Sequence, residues 1–136
     1  MPLNFQFEFA YLFEPVMSFR IRSPLSGRSA LAEAHLDTGA DRTILDSRIA
    51  HRIGLDLQSA PTVTLMGLGG GAVEAAILDV ELFLLDEEEL HLRASVAFAP
   101  LQAIQVGNLV GLDLLEHFDF GLSHRQRLGY LGRAEP

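Results

Sequence analysis

The chain has 136 residues, 49% of them hydrophobic, which is enough for one compact domain with a real core and too little for two full lobes. A formal net charge of −8 argues against nucleic acid or an anionic membrane as partner, and the absence of cysteine excludes disulfides, thiolate metal sites and a cysteine nucleophile. Asn4, Gln6 and Glu8 break up the apolar N-terminus, so no signal peptide is expected. No stretch reaches the ~20 apolar residues that span a bilayer, and the expectation is a soluble, cytoplasmic protein.

Phe5, Phe7, Phe9, Tyr11 and Phe13 alternate with Asn4, Gln6 and Glu8, a period of two that predicts a strand with an aromatic face. So large a face is expected to be buried in the core or against another chain. Val16 to Arg22 is a second strand, ended by the turn-forming Ser23-Pro24-Leu25-Ser26-Gly27. Ala30, Ala32, Ala34 and Leu36 then alternate with Ser29, Leu31, Glu33 and His35, and this strand runs straight into Asp37-Thr38-Gly39-Ala40. One carboxylate is thereby delivered to the end of a buried strand. Thr38 adds a hydroxyl that both donates and accepts, and Gly39 permits close approach of a second backbone. Asp, Thr and Gly also favour ordinary surface turns, so the neighbouring segments have to decide between the two readings.

Asp46 or Ser47 can cap a short helix with Ile49 and Ile53 four apart and Gly54 closing it; His51, between Arg48 and Arg52, reads as a solvated helix residue. After a loop from Gln58 to Pro61 comes the strand Thr62 to Met66, then Gly67-Leu68-Gly69-Gly70-Gly71. A phosphate cradle needs a helix after the glycines, whereas Ala72 onward alternates like a strand. A hairpin tip whose glycines supply positive φ angles fits better, and such a tip suits a lid over a ligand. Leu78, Val80, Leu82 and Leu84 alternate with Asp79, Glu81 and Phe83. Leu90, Leu92, Ala94, Val96 and Phe98 alternate with His91, Arg93, Ser95 and Ala97, so these runs predict a long hairpin with one buried face around the solvated turn Asp86 to Glu89. No H-E-x-x-H or G-x-S-x-G pattern is present, so neither a zinc nor a serine hydrolase has support, and neither a metal nor a cofactor is implied.

In the last quarter, a short buried helix is predicted after Gly111 in Val110-Gly111-Leu112-Asp113-Leu114-Leu115. A final hairpin follows, Phe118 to Leu122 and Leu128 to Leu131 about a polar turn from Ser123 to Arg127. Three signals thus stand in order: the Asp37-Thr38-Gly39-Ala40 loop, the glycine-rich tip, and an apolar pair followed by glycine and Leu114-Leu115. Together they resemble the retropepsin-like aspartic proteases over about residues 15 to 131, with residues 1–14 as an N-terminal strand extension outside the family pattern.

That resemblance implies an all-β fold, a single-lobe acid protease barrel with a glycine-rich flap hairpin and one short C-terminal helix, spanning 1–136 as one domain. It implies an aspartic endopeptidase with Asp37, Thr38 and Gly39 as catalytic residues. Substrate-binding residues are then expected at Ala40 and Asp41 and along the flap at Met66, Gly67, Leu68, Gly69, Gly70 and Gly71. Hydrolysis by aspartates needs two facing carboxyl groups that share one proton, because like charges at close range do not both ionise. One Asp-Thr-Gly supplies half of such a site, and a twofold homodimer supplies the rest. The expected partners are a second copy and a peptide or protein substrate. The alternative is a non-catalytic module that uses the same barrel for peptide binding or dimerisation. One departure stands out: viral members carry an arginine after the helix glycine that pairs with the Asp two past the active-site glycine. Asp41 is present here, but Leu112 occupies the arginine position, leaving Arg42 or a partner-chain arginine as its replacement.

Overall fold

The computed structural model describes residues 2–68 and 70–133. Strand β1, Phe7–Ala10, precedes β2, Val16–Arg22, and β3, Ser29–Leu36; β4, Ile44–Asp46, leads into helix α1, Ser47–Arg52. Strands β5, Thr62–Leu68, β6, Gly71–Leu84, and β7, His91–Ala99, form the middle of the chain. It closes with β8, Leu109–Val110, helix α2, Leu112–Leu115, and the hairpin β9, Phe118–Ser123, and β10, Leu128–Arg133.

Six strands close on themselves in the order β2-β3-β8-β4-β7-β6, because β2 pairs with β6 as well as with β3. The result is the expected all-β, single-lobe barrel. Strand β5 adds to the free side of β6, so the β5–β6 hairpin projects from the barrel as a flap. The core follows the predicted alternation: Met17, Phe19 and Ile21 of β2 meet Val80, Leu82 and Leu84 of β6 and Val96 and Phe98 of β7. Helix α1 docks Ile49 and Ala50 onto this core, and Ile53 just beyond it is also fully buried. No helix among the described residues is long and apolar enough to cross a membrane.

Three local outcomes differ from the sequence pattern, each for a tertiary reason. Phe83 falls on the polar face with Asp79 and Glu81, yet it is 2% exposed. The Arg20 guanidinium lies 3.9 Å from its ring centroid and the His91 ring stacks at 4.7 Å, so cationic and aromatic side chains cover it in place of the core. At the end of β7 both faces are buried, because Ala97 and Ala99 meet a second apolar cluster beneath the flap, with Ile44 and Leu101 buried and Val63, Leu65, Leu68 and Val73 partly so. The aromatic N-terminal face is only partly buried: pairing stops at Ala10, and Phe5 and Phe13 remain 41% and 85% exposed.

Strand β1 pairs with β10 of its own chain, making a separate sheet ordered β1-β10-β9. Close packing there requires glycine. A Cβ on Gly129 would lie 2.1 Å from the Phe9 ring, and one on Gly132 would lie 1.5 Å from the Asn4 carbonyl oxygen. The N-terminal segment is thus fitted closely to the C-terminal hairpin.

Candidate active site

Asp37 sits one residue beyond β3, where the barrel's backbone ladder ends. Leu36 pairs with Val110 of β8, and the Asp37 N–H donates to the Val110 carbonyl at 2.9 Å, fixing the direction in which the chain leaves the strand. The loop then turns back sharply: the Gly39 N–H donates to Asp37 Oδ1 at 2.9 Å and the Ala40 N–H to the Asp37 carbonyl at 3.1 Å. A Cβ on Gly39 would come within 3.2 Å of Asp37 Oδ1, so glycine keeps the carboxylate's surroundings open. Asp37 is half-buried and Thr38 and Gly39 are exposed. Asp37 Oδ2 receives no hydrogen bond among the described residues. The carboxylate is held by one oxygen and presented to the surface by the other.

The loop rests on the start of α2. The Leu112 N–H donates to the Ala40 carbonyl at 2.8 Å and the Asp113 N–H to the Asp41 carbonyl at 3.2 Å. Gly111 admits this approach, since a Cβ there would lie 2.7 Å from the Ala40 oxygen and 2.8 Å from the Arg42 carbonyl carbon. Thr43, fully buried, completes the contact. Its N–H and its hydroxyl both donate to Asp113 Oδ1, at 2.9 and 2.7 Å, and its Oγ1 accepts the Gly111 N–H at 3.1 Å. Within the chain, Arg42 does not take the place of the missing arginine. Arg42 and Asp41 are exposed, and Asp113 joins loop to helix through Thr43 instead.

A second polar tie supports the far side of the loop. The Asn108 side chain donates to the Glu33 carbonyl of β3 at 2.9 Å and accepts the Asp46 N–H of β4 at 2.7 Å, so it bridges the two strands that bracket Asp37 to Thr43. The Asp46 carboxylate caps α1 through the Arg48 N–H at 2.9 Å and accepts the Gln102 N–H at 2.8 Å. Burial works to raise the Asp46 pKa, but the Arg48 backbone and side chain and the Gln102 N–H outweigh it and hold the carboxyl below the ordinary carboxylate range. A lowered carboxyl pKa contributes stability that is present above the ordinary carboxylate value and lost as pH falls through the folded value. Thermal unfolding is accordingly expected to be nearly flat from neutral pH to about 5 and to weaken below about pH 4. Asp46→Asn is expected to lower stability at neutral pH by roughly 1–3 kcal/mol, since its amide opposes the Gln102 N–H, and to flatten the acid limb. An unchanged acid limb in that variant would contradict this role.

The flap residues lie on a separate hairpin. Gly67 and Gly70 have φ of +87° and +82°, and the register shifts between Met66 and Leu68, so both glycines supply conformations that L side chains rarely adopt. Leu68 turns toward the apolar cluster under the flap, whereas Met66 is 77% exposed on the other face. Gly71 pairs with Leu68 to close the tip, and Gly69 lies outside the described residues. The structure thus brings Asp37 to Asp41 together with Gly111 to Asp113, and no hydrogen bond joins the flap to this loop among the described residues. Thr43, Asn108 and Asp113 were not singled out from the sequence. The one local signal for them is a polar residue set inside an otherwise apolar run.

Next to Thr38, a hollow of about 530 Å³ opens between Leu3, Leu112, Leu115, Phe118 and Phe120, with Glu116 and Asp119 also on its wall. Leu3 is 67% and Leu112 42% exposed, so two large apolar side chains beside the loop are uncovered in the single chain.

Comparison with known proteins follows this geometry. The aspartyl protease family model matches residues 25–114, which includes the Asp37 loop and all but the last residue of α2. No curated protein matches the sequence. Among solved structures, the EIAV protease complexed with the inhibitor HBY-793 is similar with a TM-score of 0.52, covering 76% of this chain and 86% of that one at 21% identity. At that identity the likeness establishes a shared fold.

Proposed function

Because the chain belongs to the aspartyl protease family, in its retropepsin-like form, we propose that it is an endopeptidase whose active site is assembled from Asp37 of two subunits in a homodimer. The observation that carries this reading is the half-site itself: a single carboxylate with one oxygen bound by its own loop and the other without a hydrogen bond among the described residues, beside a largely apolar hollow. A second copy related by a twofold axis supplies the facing carboxylate and covers Leu3 and Leu112. In the assembled site the ionised Asp37 takes a proton from a bound water. The water oxygen attacks the scissile carbonyl carbon while the protonated Asp37 donates to the carbonyl oxygen, giving a tetrahedral diol and no covalent intermediate. Collapse of the diol releases the amine with a proton from the dyad. Thr38 and its copy hold the two loops together across the axis.

The substrate lies extended between flap and floor and pairs as an added strand. Ala40, Asp41 and Leu68 to Gly71 provide backbone on either side of it, and the apolar cluster under the flap sets a preference for apolar side chains. All of residues 2–133 contribute to one domain in this reading, with β1 as an extension of the family core. Sedimentation at concentrations that cleave a mixed peptide library tests it: a dimer whose cleavage is blocked by a pepstatin-type inhibitor is expected, and an active monomer would contradict it.

A further inference from the structure

Strand β3 sends alternate side chains to opposite faces: Leu31, Glu33 and His35 lie on the outward one, while Ala34 and Leu36 are buried on the other. Asp37 continues that alternation, because its N–H still bonds to Val110 of β8, so His35 and Asp37 stand on the same side about 7 Å apart along the chain. His35 is half-buried between two neighbours. Its Nδ1 lies 3.1 Å from Glu14 Oε2, and a Cβ on Gly107 would come within 3.2 Å of its ring. Val106, next to Gly107, belongs to the apolar cluster beneath the flap. Glu14 is likewise held close to the Asp37 loop, since the carbonyl of Pro15, the next residue, accepts the Leu36 N–H at 2.9 Å. An ionisable pair therefore borders Asp37 on the side that leads to the apolar cluster.

A cavity of about 730 Å³ extends from Glu14 along the outer face of β2 and β3 to Ser18 and Glu33, which are paired across the two strands. Phe13 and Val16 give it apolar wall, and none of the residues lining it is an arginine or a histidine. Elsewhere on the barrel carboxylates are met by arginine: Glu81 by Arg22, Asp86 by Arg20 and Asp46 by Arg48. Among the described residues Glu33 has no such partner, and Glu14 has only His35. A concave surface with apolar walls and a carboxylate at either end has the chemistry of a lysine or arginine side chain, whose methylene stem packs on the walls while its head meets the carboxylates.

We propose that this cavity is a substrate subsite of the Asp37 centre and that it selects a lysine or arginine side chain within about three residues of the cleaved bond. The proposal rests on the peptide hydrolysis proposed above and adds to it the class of sequence that is cut. A substrate strand laid beside Asp37 carries its same-side residues about 7 Å apart, the spacing from Asp37 to His35. Side chains that point toward the flap meet the apolar cluster. The next one outward meets Glu14, and its head group reaches along the cavity toward Glu33. The loop's own cation leaves this place open: Arg42 does not line the cavity, and its carbonyl rests on Gly111 at the α2 end of the loop. A net charge of −8 further favours the approach of a cationic segment.

A mixed peptide library first locates the cut bond, and peptides that differ only in arginine or its uncharged analogue citrulline at one flanking position then supply the test. At one such position wild type is expected to cut the arginine peptide with a kcat/KM higher by about fivefold or more, within the range of charge-assisted hydrogen bonds at a partly exposed site. Replacing both carboxylates, Glu14→Gln together with Glu33→Gln, should bring that ratio below about twofold. The Glu33 carbonyl, which accepts from the Asn108 side chain, is backbone and stays in place. A purely structural role for these residues would lower both rates together and leave the ratio where it was. A smaller ratio in wild type at every flanking position, or a ratio that the double variant keeps, overturns this inference and leaves the endopeptidase reading standing. If wild type cuts no peptide of the library, both fall.

Discussion

Asp37→Asn is expected to reduce peptide hydrolysis by at least ~10³-fold while leaving the folded chain intact, because in the proposed dimer it removes the carboxyl group that each subunit gives to the site. The amide oxygen still accepts the Gly39 N–H, so the loop keeps its turn. Asp37 is half-buried and has no ion-pair partner among the described residues, so thermal stability at fixed protein concentration should move by no more than about 0.5 kcal/mol. Initial rates on a peptide library, with unfolding curves alongside, check both parts. Undiminished cleavage by the variant would remove Asp37 from the chemistry and leave the binding-module alternative.

Asp113→Ala is the second large effect, and it reaches the site indirectly. The Asp113 Oδ1 accepts three hydrogen bonds, from the Thr43 N–H, the Thr43 hydroxyl and the Leu114 N–H, all at 2.7–2.9 Å. Thr43 is fully buried, so truncation leaves its donors without partners in a place water does not reach. At about 1–3 kcal/mol for an orphaned buried group the cost is roughly 2–4 kcal/mol, or a melting point lower by on the order of 10 °C for a chain of this length. Activity should fall further than stability alone accounts for, because a loop displaced by about 1 Å misplaces Asp37 and costs on the order of 10²-fold. Asp113→Asn keeps an acceptor oxygen at the same place and is expected to recover most of both losses. A variant with alanine here that melts and turns over like wild type would mean that Thr43 and Asp113 do not hold the loop.

The parts of this protein that were legible from sequence are those set by local chemistry. The alternation from Ala30 to Leu36 delivers Asp37, the Asp46 cap begins α1, and the glycines from Gly67 to Gly71 allow a hairpin where a helix would be needed for a phosphate. Hidden were contacts between residues far apart in the chain. Thr43 and Asp113 are 70 positions apart, and only the folded barrel sets the helix start beneath the loop. The need for glycine at positions 129 and 132 shows only once Phe9 and Asn4 are seen lying on them. Phe83 breaks the polar side of its strand because Arg20 and His91 cover it, a solution that a period of two does not encode. The aromatic N-terminal face failed as a single strand for a related reason. Its partner, β10, pairs with only four of its residues and leaves Phe13 outside.

The shared site is tested most directly by mixing. Wild type and Asp37→Asn chains are combined in varying ratio at constant total concentration, allowed to exchange subunits, and assayed on one peptide. Two acids contributed by two subunits make activity follow the square of the wild-type fraction, so an equal mixture retains about one quarter of the starting rate. A linear decline, with about one half remaining, would mean that each chain works alone and would contradict the account.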